Sequence, residues 1–67
     1  MIEVTVNGNT ERFAQPLALA ELVERMALAG RKIAVERNGE IVPRSAQGST
    51  LVADGDRLEI VVAVGGG

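Results

Sequence analysis

Helical spacing occurs in one place along this chain. Leu19, Leu22, Val23 and Met26 fall at i, i+3, i+4 and i+7, with Glu21, Glu24 and Arg25 on the opposite face. The spacing predicts a single amphipathic helix over residues 18–28, stopped by Gly30. Ala18 is a poor N-cap, because its side chain offers no oxygen to the free backbone amides. The other patterned segments repeat with period two. A lone helix of this length cannot bury its apolar stripe on another helix, so the stripe has to lie on a sheet.

The strands are read from alternation and turn residues. Residues 2–6 alternate with β-branched side chains, and Asn7-Gly8-Asn9 reverses the chain into a second strand over residues 10–14, with Phe13 as its core anchor. Pro16 ends that strand and marks the crossover to the helix. From Lys32 period two returns, placing Ile33 and Val35 on one face and Ala34 and Glu36 on the other, before an Asn38-Gly39 turn. Ile41 and Val42 form a short strand closed by Pro43, and residues 44–50 read as irregular. After an Asp54-Gly55-Asp56 turn, Leu58, Ile60, Val62 and Val64 alternate with Arg57, Glu59, Val61 and Ala63. The order ββαββ with a final β predicts an α+β chain: a ubiquitin-like β-grasp, with a mixed sheet of about five strands and the helix on one face. Residues 1–64 are expected to form the domain and residues 65–67 a flexible tail.

Composition removes most catalytic chemistry. The 67 residues carry seven Lys and Arg against nine Asp and Glu, a net charge of −2, and contain neither Cys nor His. Disulfides, thiolate or imidazole metal sites and His-activated nucleophiles are thereby excluded, and core burial alone has to hold a small domain together. One aromatic residue and a slightly acidic balance argue against nucleic-acid binding. The first residues do not resemble a signal peptide, and the longest apolar run, residues 60–64, is far short of the roughly 20 needed to cross a membrane. These features predict a cytoplasmic protein without a membrane partner.

Few motifs suggest chemistry. Thr5, Thr10, Ser45, Ser49 and Thr50 lack a base and read as turn and loop residues. Asp54-Gly55-Asp56 lacks the further ligands of a calcium loop. Glu21 and Glu24 could pair as acid and base, but Glu21 with Arg25 reads more simply as an i,i+4 ion pair. No phosphate-binding glycine loop precedes a helix. Two features remain open. Val61, Ala63 and the edge of Val64 face away from the helix, either as a partner docking face or as ordinary β-formers in a central strand. Gly65-Gly66-Gly67 is either a frayed end or a tail slender enough to enter a partner's tunnel and present the Gly67 carboxylate for activation.

Asn38-Gly39-Glu40-Ile41-Val42-Pro43-Arg44, then Asp54-Gly55-Asp56, then the run from Leu58 through Gly65-Gly66-Gly67 together resemble the ThiS family, the sulfur carriers of thiamin biosynthesis. The resemblance covers essentially the whole chain. Ile41-Val42-Pro43-Arg44 separates it from the related small subunit of molybdopterin synthase. Two departures stand out: Ala18 where relatives commonly have Thr or Ser, and three final glycines rather than two. The resemblance implies a carrier that is not an enzyme. Gly67 would be adenylated by an E1-like enzyme of the ThiF type, converted to a thiocarboxylate with sulfur from a cysteine desulfurase, and used by a thiazole synthase of the ThiG type. Gly65 and Gly66 would thread the partner's active site, and ATP would be consumed by that partner with no cofactor or metal held by the carrier itself. The alternatives are carriage of sulfur to molybdopterin or a tRNA base, and an interaction module with an inert tail.

Overall fold

The computed structural model describes residues 1–28 and 30–63. The chain forms β1 (Ile2–Val6), β2 (Asn9–Phe13), β3 (Leu17–Ala18), α1 (Leu19–Arg25), β4 (Ile33–Arg37), β5 (Glu40–Ile41), α2 (Arg44–Gln47), β6 (Leu51–Val52) and β7 (Arg57–Val62). The main sheet has the order β2-β1-β7-β4-β5, and β3 pairs with β6 in a separate two-stranded ladder. β1 and β7 lie side by side and parallel, with Val6 opposite Leu58, and β4 runs antiparallel to β7 with Val35 opposite Ile60. This is the mixed sheet and single main helix of the ubiquitin-like β-grasp.

Period two in the strands meets the helical stripe in one core. Ile2, Val4 and Val6 from β1, Val35 from β4 and Leu58 and Ile60 from β7 pack beneath Leu19, Leu22 and Val23 of α1, with Leu17 and Val52 closing one end. Burial of a side chain of this size contributes about 1.5–3 kcal/mol, and there is no covalent staple to supplement it.

Both asparagine-glycine turns do more than reverse the chain. Asn7 and Gly8 have φ of 51° and 84°, and Asn38 and Gly39 have φ of 51° and 86°, the left-handed pair that closes a two-residue hairpin. The Asn7 amide then donates to the Ile60 carbonyl at 3.0 Å and accepts from the Ile60 N–H at 2.8 Å. It thus extends the β1–β7 ladder past the end of β1. On the other side of β7, Asn38 accepts the Arg57 N–H at 2.9 Å. The last strand is clasped from both flanks by turn residues.

Several local expectations are corrected. The helix stops at Arg25 rather than near residue 28, and Gly30 is not its terminator. The Leu28 N–H bonds the Val23 carbonyl and the Ala27 N–H bonds the Glu24 carbonyl, a Schellman closure with Ala27 in the left-handed region at φ 61°. Gly30 serves the following turn instead, where the Arg31 N–H reaches the Leu28 carbonyl. Met26 therefore leaves the buried stripe as the C-cap and is 39% exposed. Ala18 is indeed an N-cap without a side-chain bond, but the Leu19 N–H finds the Thr50 carbonyl at 2.8 Å, so the backbone just before β6 does the work of a cap. Phe13 is half-buried at the core margin, with the Arg25 guanidinium 5.8 Å from its ring centre. The segment read as irregular contains α2, and β5 is Glu40–Ile41, one residue earlier than expected.

Candidate functional site

The alternation of β7 sorts its residues onto two surfaces. Leu58 and Ile60 are buried under α1, whereas Arg57, Glu59, Val61 and Ala63 lie on the opposite face, which no element of the described chain covers. Val61 is 62% exposed. Its register partner on β4 is Ala34, and one step further along the same face Glu36 lies opposite Glu59. Ile41 of β5 pairs with Glu36 and is also exposed, adding a second large apolar side chain to the open surface.

Ala34, Val61 and Ala63 floor a shallow depression of about 540 Å³ whose rim carries Lys32 and Arg44. The ladder continues to its edge, where the Ala63 N–H donates to the Lys32 carbonyl at 2.8 Å. Arg44 is held there by donation from Nη2 to the Arg31 carbonyl at 2.9 Å. Pro43 sets the N-cap of α2, and this short helix begins with Arg44, so the Ile41-Val42-Pro43-Arg44 segment delivers its cation to the border of the open face. Val61 and Ala63 thus occupy the face expected of them. Val64, Gly65, Gly66 and Gly67 lie outside the described residues.

The motifs that could have carried other chemistry are already engaged. Asp54 Oδ1 accepts the Glu3 N–H at 2.7 Å. Asp56, 7% exposed, accepts from the Ala53 N–H, from Arg37 Nε at 2.8 Å and from Asn38 Nδ2 at 3.1 Å. Burial acts to raise the Asp56 pKa, but the Ala53 amide, the Arg37 and Asn38 side chains and the Arg37 charge together bring it below the ordinary aspartate value. The Asp54-Gly55-Asp56 turn is accordingly a structural knot fastening β7 to both neighbouring strands. Glu21 pairs with Arg25 at 2.8 Å, as the helical spacing suggests.

The ThiS family model matches residues 2–67. The chain belongs to the ThiS family. The crystal structure of a thiamine biosynthesis protein (ThiS) from Geobacter metallireducens superposes with a TM-score of 0.83 at 36% identity, covering 98% of this chain and 100% of that one. A protein named thiazole synthase from Paramagnetospirillum magneticum is 41% identical over 66 residues, 98% of this chain. This chain spans only 20% of that protein's length. The uncharacterized protein ycf40 of Porphyra purpurea is 33% identical, with 98% of this chain and 93% of that protein aligned.

Sequence reasoning located Val61 and Ala63 through strand parity, but it did not join Ala34, Ile41, Lys32 and Arg44 to them. The parity of β4 was visible; its register against β7 was not. Register is fixed by the Asn38 turn and the core pairs, which come together only on folding.

Proposed function

We propose that this chain is a sulfur carrier of thiamine biosynthesis whose reactive group is the Gly67 carboxylate. The observation that carries the reading is the extent of the ThiS family match, which runs through the three glycines to residue 67. The chemistry is consistent with a chain that has no cysteine, since the sulfur then sits on a terminal carboxyl. A carboxylate oxygen attacks the α-phosphorus of ATP in the active site of an E1-like adenylating enzyme, expelling pyrophosphate. The outer sulfur of a persulfide supplied through a cysteine desulfurase then attacks the acyl carbon, AMP leaves with that oxygen, and a second thiol cleaves the S–S bond of the acyl disulfide, leaving with the persulfide's inner sulfur as a disulfide. The resulting thiocarboxylate is the donor, and the chain acts as a substrate of its partners rather than as a catalyst.

The relatives named thiazole synthase support thiazole as the destination, because in them a segment resembling this chain shares a polypeptide with the rest of that protein. Transfer to molybdopterin or to a tRNA base has no comparable support. Gly67 lies four residues beyond Ala63, and four extended residues span at most about 14 Å. Any enzyme acting on Gly67 therefore has to press close to the end of β7, and Val61 and Ala63, with Val64 beyond them, are its nearest docking residues. Small residues at 65 and 66 suit a narrow approach, where a misplacement of about 1 Å costs on the order of a hundredfold in rate.

The test is intact-chain mass spectrometry after incubation with ATP, the adenylating enzyme and a sulfur source. The expected product has one oxygen replaced by sulfur on the C-terminal fragment. Deletion of Gly67 or Gly66→Val abolishes it while leaving the melting curve unchanged. Sulfur located elsewhere, or undiminished thiocarboxylate in Gly66→Val, overturns the reading in favour of an interaction module with an inert tail.

A further inference from the structure

Asn7-Gly8 and Asn38-Gly39 are the same dipeptide in the same turn, with φ of 51° and 84° at the first and 51° and 86° at the second. Asparagine followed by glycine is also a reactive pair, because a glycine nitrogen with no Cβ beside it can close on the asparagine Cγ. Both asparagines are exposed to water. Gly8 and Gly39 stand in open space, with nothing but their chain neighbours within 4 Å of where a side chain would begin. The two sites are thus matched in conformation and access, and they differ in what each side-chain amide holds. Asn7 grips Ile60 with both ends of its amide, through two partly buried bonds to the backbone N–H and carbonyl. If that side chain leaves, two groups of the last strand lose their partners together. Asn38 instead accepts the Arg57 N–H at 2.9 Å and donates to Asp56 Oδ1 at 3.1 Å. Arg57 is exposed, so water replaces the first bond, and Asp56 keeps Arg37 and the Ala53 N–H in place of the second.

A side chain that is clasping β7 is not free to meet its own glycine, so reaction waits on local opening of the clasp. Opening costs less at the second turn. We propose that Asn38 is a site of spontaneous deamidation in the folded chain, and that Asn7 is shielded from the same reaction by its grip on Ile60. The Gly39 nitrogen loses its proton to a base in the solvent and bonds to Asn38 Cγ. The side-chain nitrogen takes a proton from the solvent and leaves as ammonia, closing a cyclic imide. Water then adds to one of the two imide carbonyls. Cleavage at Cγ leaves an aspartyl residue at position 38, and cleavage at the main-chain carbonyl leaves an isoaspartyl residue, whose backbone is one carbon longer. The sum is one water consumed and one ammonia released, with no change of oxidation state. Either product sets a carboxylate where the Nδ2 donor faced Asp56 Oδ1, and like charge at that distance opposes the knot. The isoaspartyl product also lengthens a hairpin whose ladder consists of two pairs, Glu36 with Ile41 and Arg37 with Glu40. Deamidation therefore loosens the fastening of β7 to the β4–β5 hairpin.

The experiment ages the full chain at mildly alkaline pH, with and without denaturing urea, and reads each site by mass spectrometry of its peptide. In urea the two sites are expected to react at similar rates. In the folded chain both slow down, and position 38 is expected to outpace position 7 by about tenfold, the worth of one further buried backbone group left without a partner. Asp56→Asn weakens the hold on Asn38 and is expected to speed position 38 while leaving position 7 unchanged. Asn38→Asp reproduces the aspartyl product and is expected to melt below wild type. Position 7 reacting as fast as position 38 in the folded chain overturns the proposal. So does equal acceleration of both sites by Asp56→Asn, because the side chains are then freed only by unfolding of the whole domain. A rate at position 38 that is the same folded and in urea refutes control by the clasp. An Asn38→Asp chain that melts with wild type refutes the loosening of the knot and leaves the modification site standing.

Discussion

The two faces of β7 are built from neighbouring residues of one strand and serve opposite ends. Leu58 is fully buried, while Val61, three residues on, is 62% exposed. Both are aliphatic, so hydrophobicity does not distinguish them; parity does. The face carrying Asp56, Leu58 and Ile60 meets the helix and the clasping turns. The face carrying Arg57, Glu59, Val61 and Ala63 meets nothing in the described chain. The covered face concentrates stability, and the open face is the one proposed above for docking. In so small a domain core and open surface fall on alternate residues of the same strand.

The largest effect that sharpens this comparison comes from the covered face. Leu58→Ala removes a fully buried side chain of the core shared by β1, β7 and α1, and is expected to cost about 2–5 kcal/mol in a denaturant melt. That approaches the whole stability of a typical small domain, about 5 kcal/mol at the lower end. A negligible change breaks the assignment of faces and the topology with it.

Next comes Asp56 at the covered foot of the strand. Asp56→Ala leaves the Ala53 amide, Arg37 and Asn38 without their acceptor, at an expected cost of about 1–3 kcal/mol. Because the folded-state pKa lies below the ordinary aspartate value, the carboxylate's contribution is fully present above about pH 4 and is lost as pH falls through the folded value. Melts of wild type and variant at neutral pH are therefore expected to differ, and to converge in acid. A difference that persists undiminished at low pH contradicts the ionic role.

Smaller again is Val61→Asp on the open face. It is expected to change stability by about 1 kcal/mol or less, while markedly weakening binding to the adenylating enzyme and thiazole synthase proposed as partners, because a charge is placed at the proposed contact, where it would be desolvated. Equal binding of this variant to both partners breaks the claim that the open face is the recognition face. The smallest effect concerns the cover itself: Ala27→Gly, at the left-handed residue closing α1, is expected to stabilise by about 0.5 kcal/mol. A loss instead means that the closing geometry around Ala27 is different.

Much of this was legible in the amino-acid pattern. Asn7-Gly8 and Asn38-Gly39 specify their turns because few other dipeptides accept two successive left-handed residues. The parity of β1, β4 and β7 follows from a period that a one-residue slip would invert. The main helix came from its i, i+3, i+4, i+7 repeat, and the exposure of Val61 from strand parity. The β3–β6 ladder was not legible, since two-residue strands are too short to show a period and are held by pairing between segments far apart in sequence. Residues 44–47 gave no apolar repeat from which to read α2.

The site divides in the same way. The glycine tail and the outward parity of Val61 and Ala63 are properties of local sequence, fixed by the absence of side chains and by the strand repeat. The end of α1 at Ala27 rather than Gly30, the Thr50 carbonyl standing in for a cap, the burial of Asp56 between two hairpins, and the alignment of Ala34 with Val61 and of Glu36 with Glu59 were decided by tertiary structure. Each depends on partners distant in sequence or, at Ala27, on the bond from the Leu28 N–H to the Val23 carbonyl and the packing of Leu28 against the core. Such contacts can override a local preference worth about 1 kcal/mol, because a buried apolar contact or a satisfied backbone group is worth as much or more.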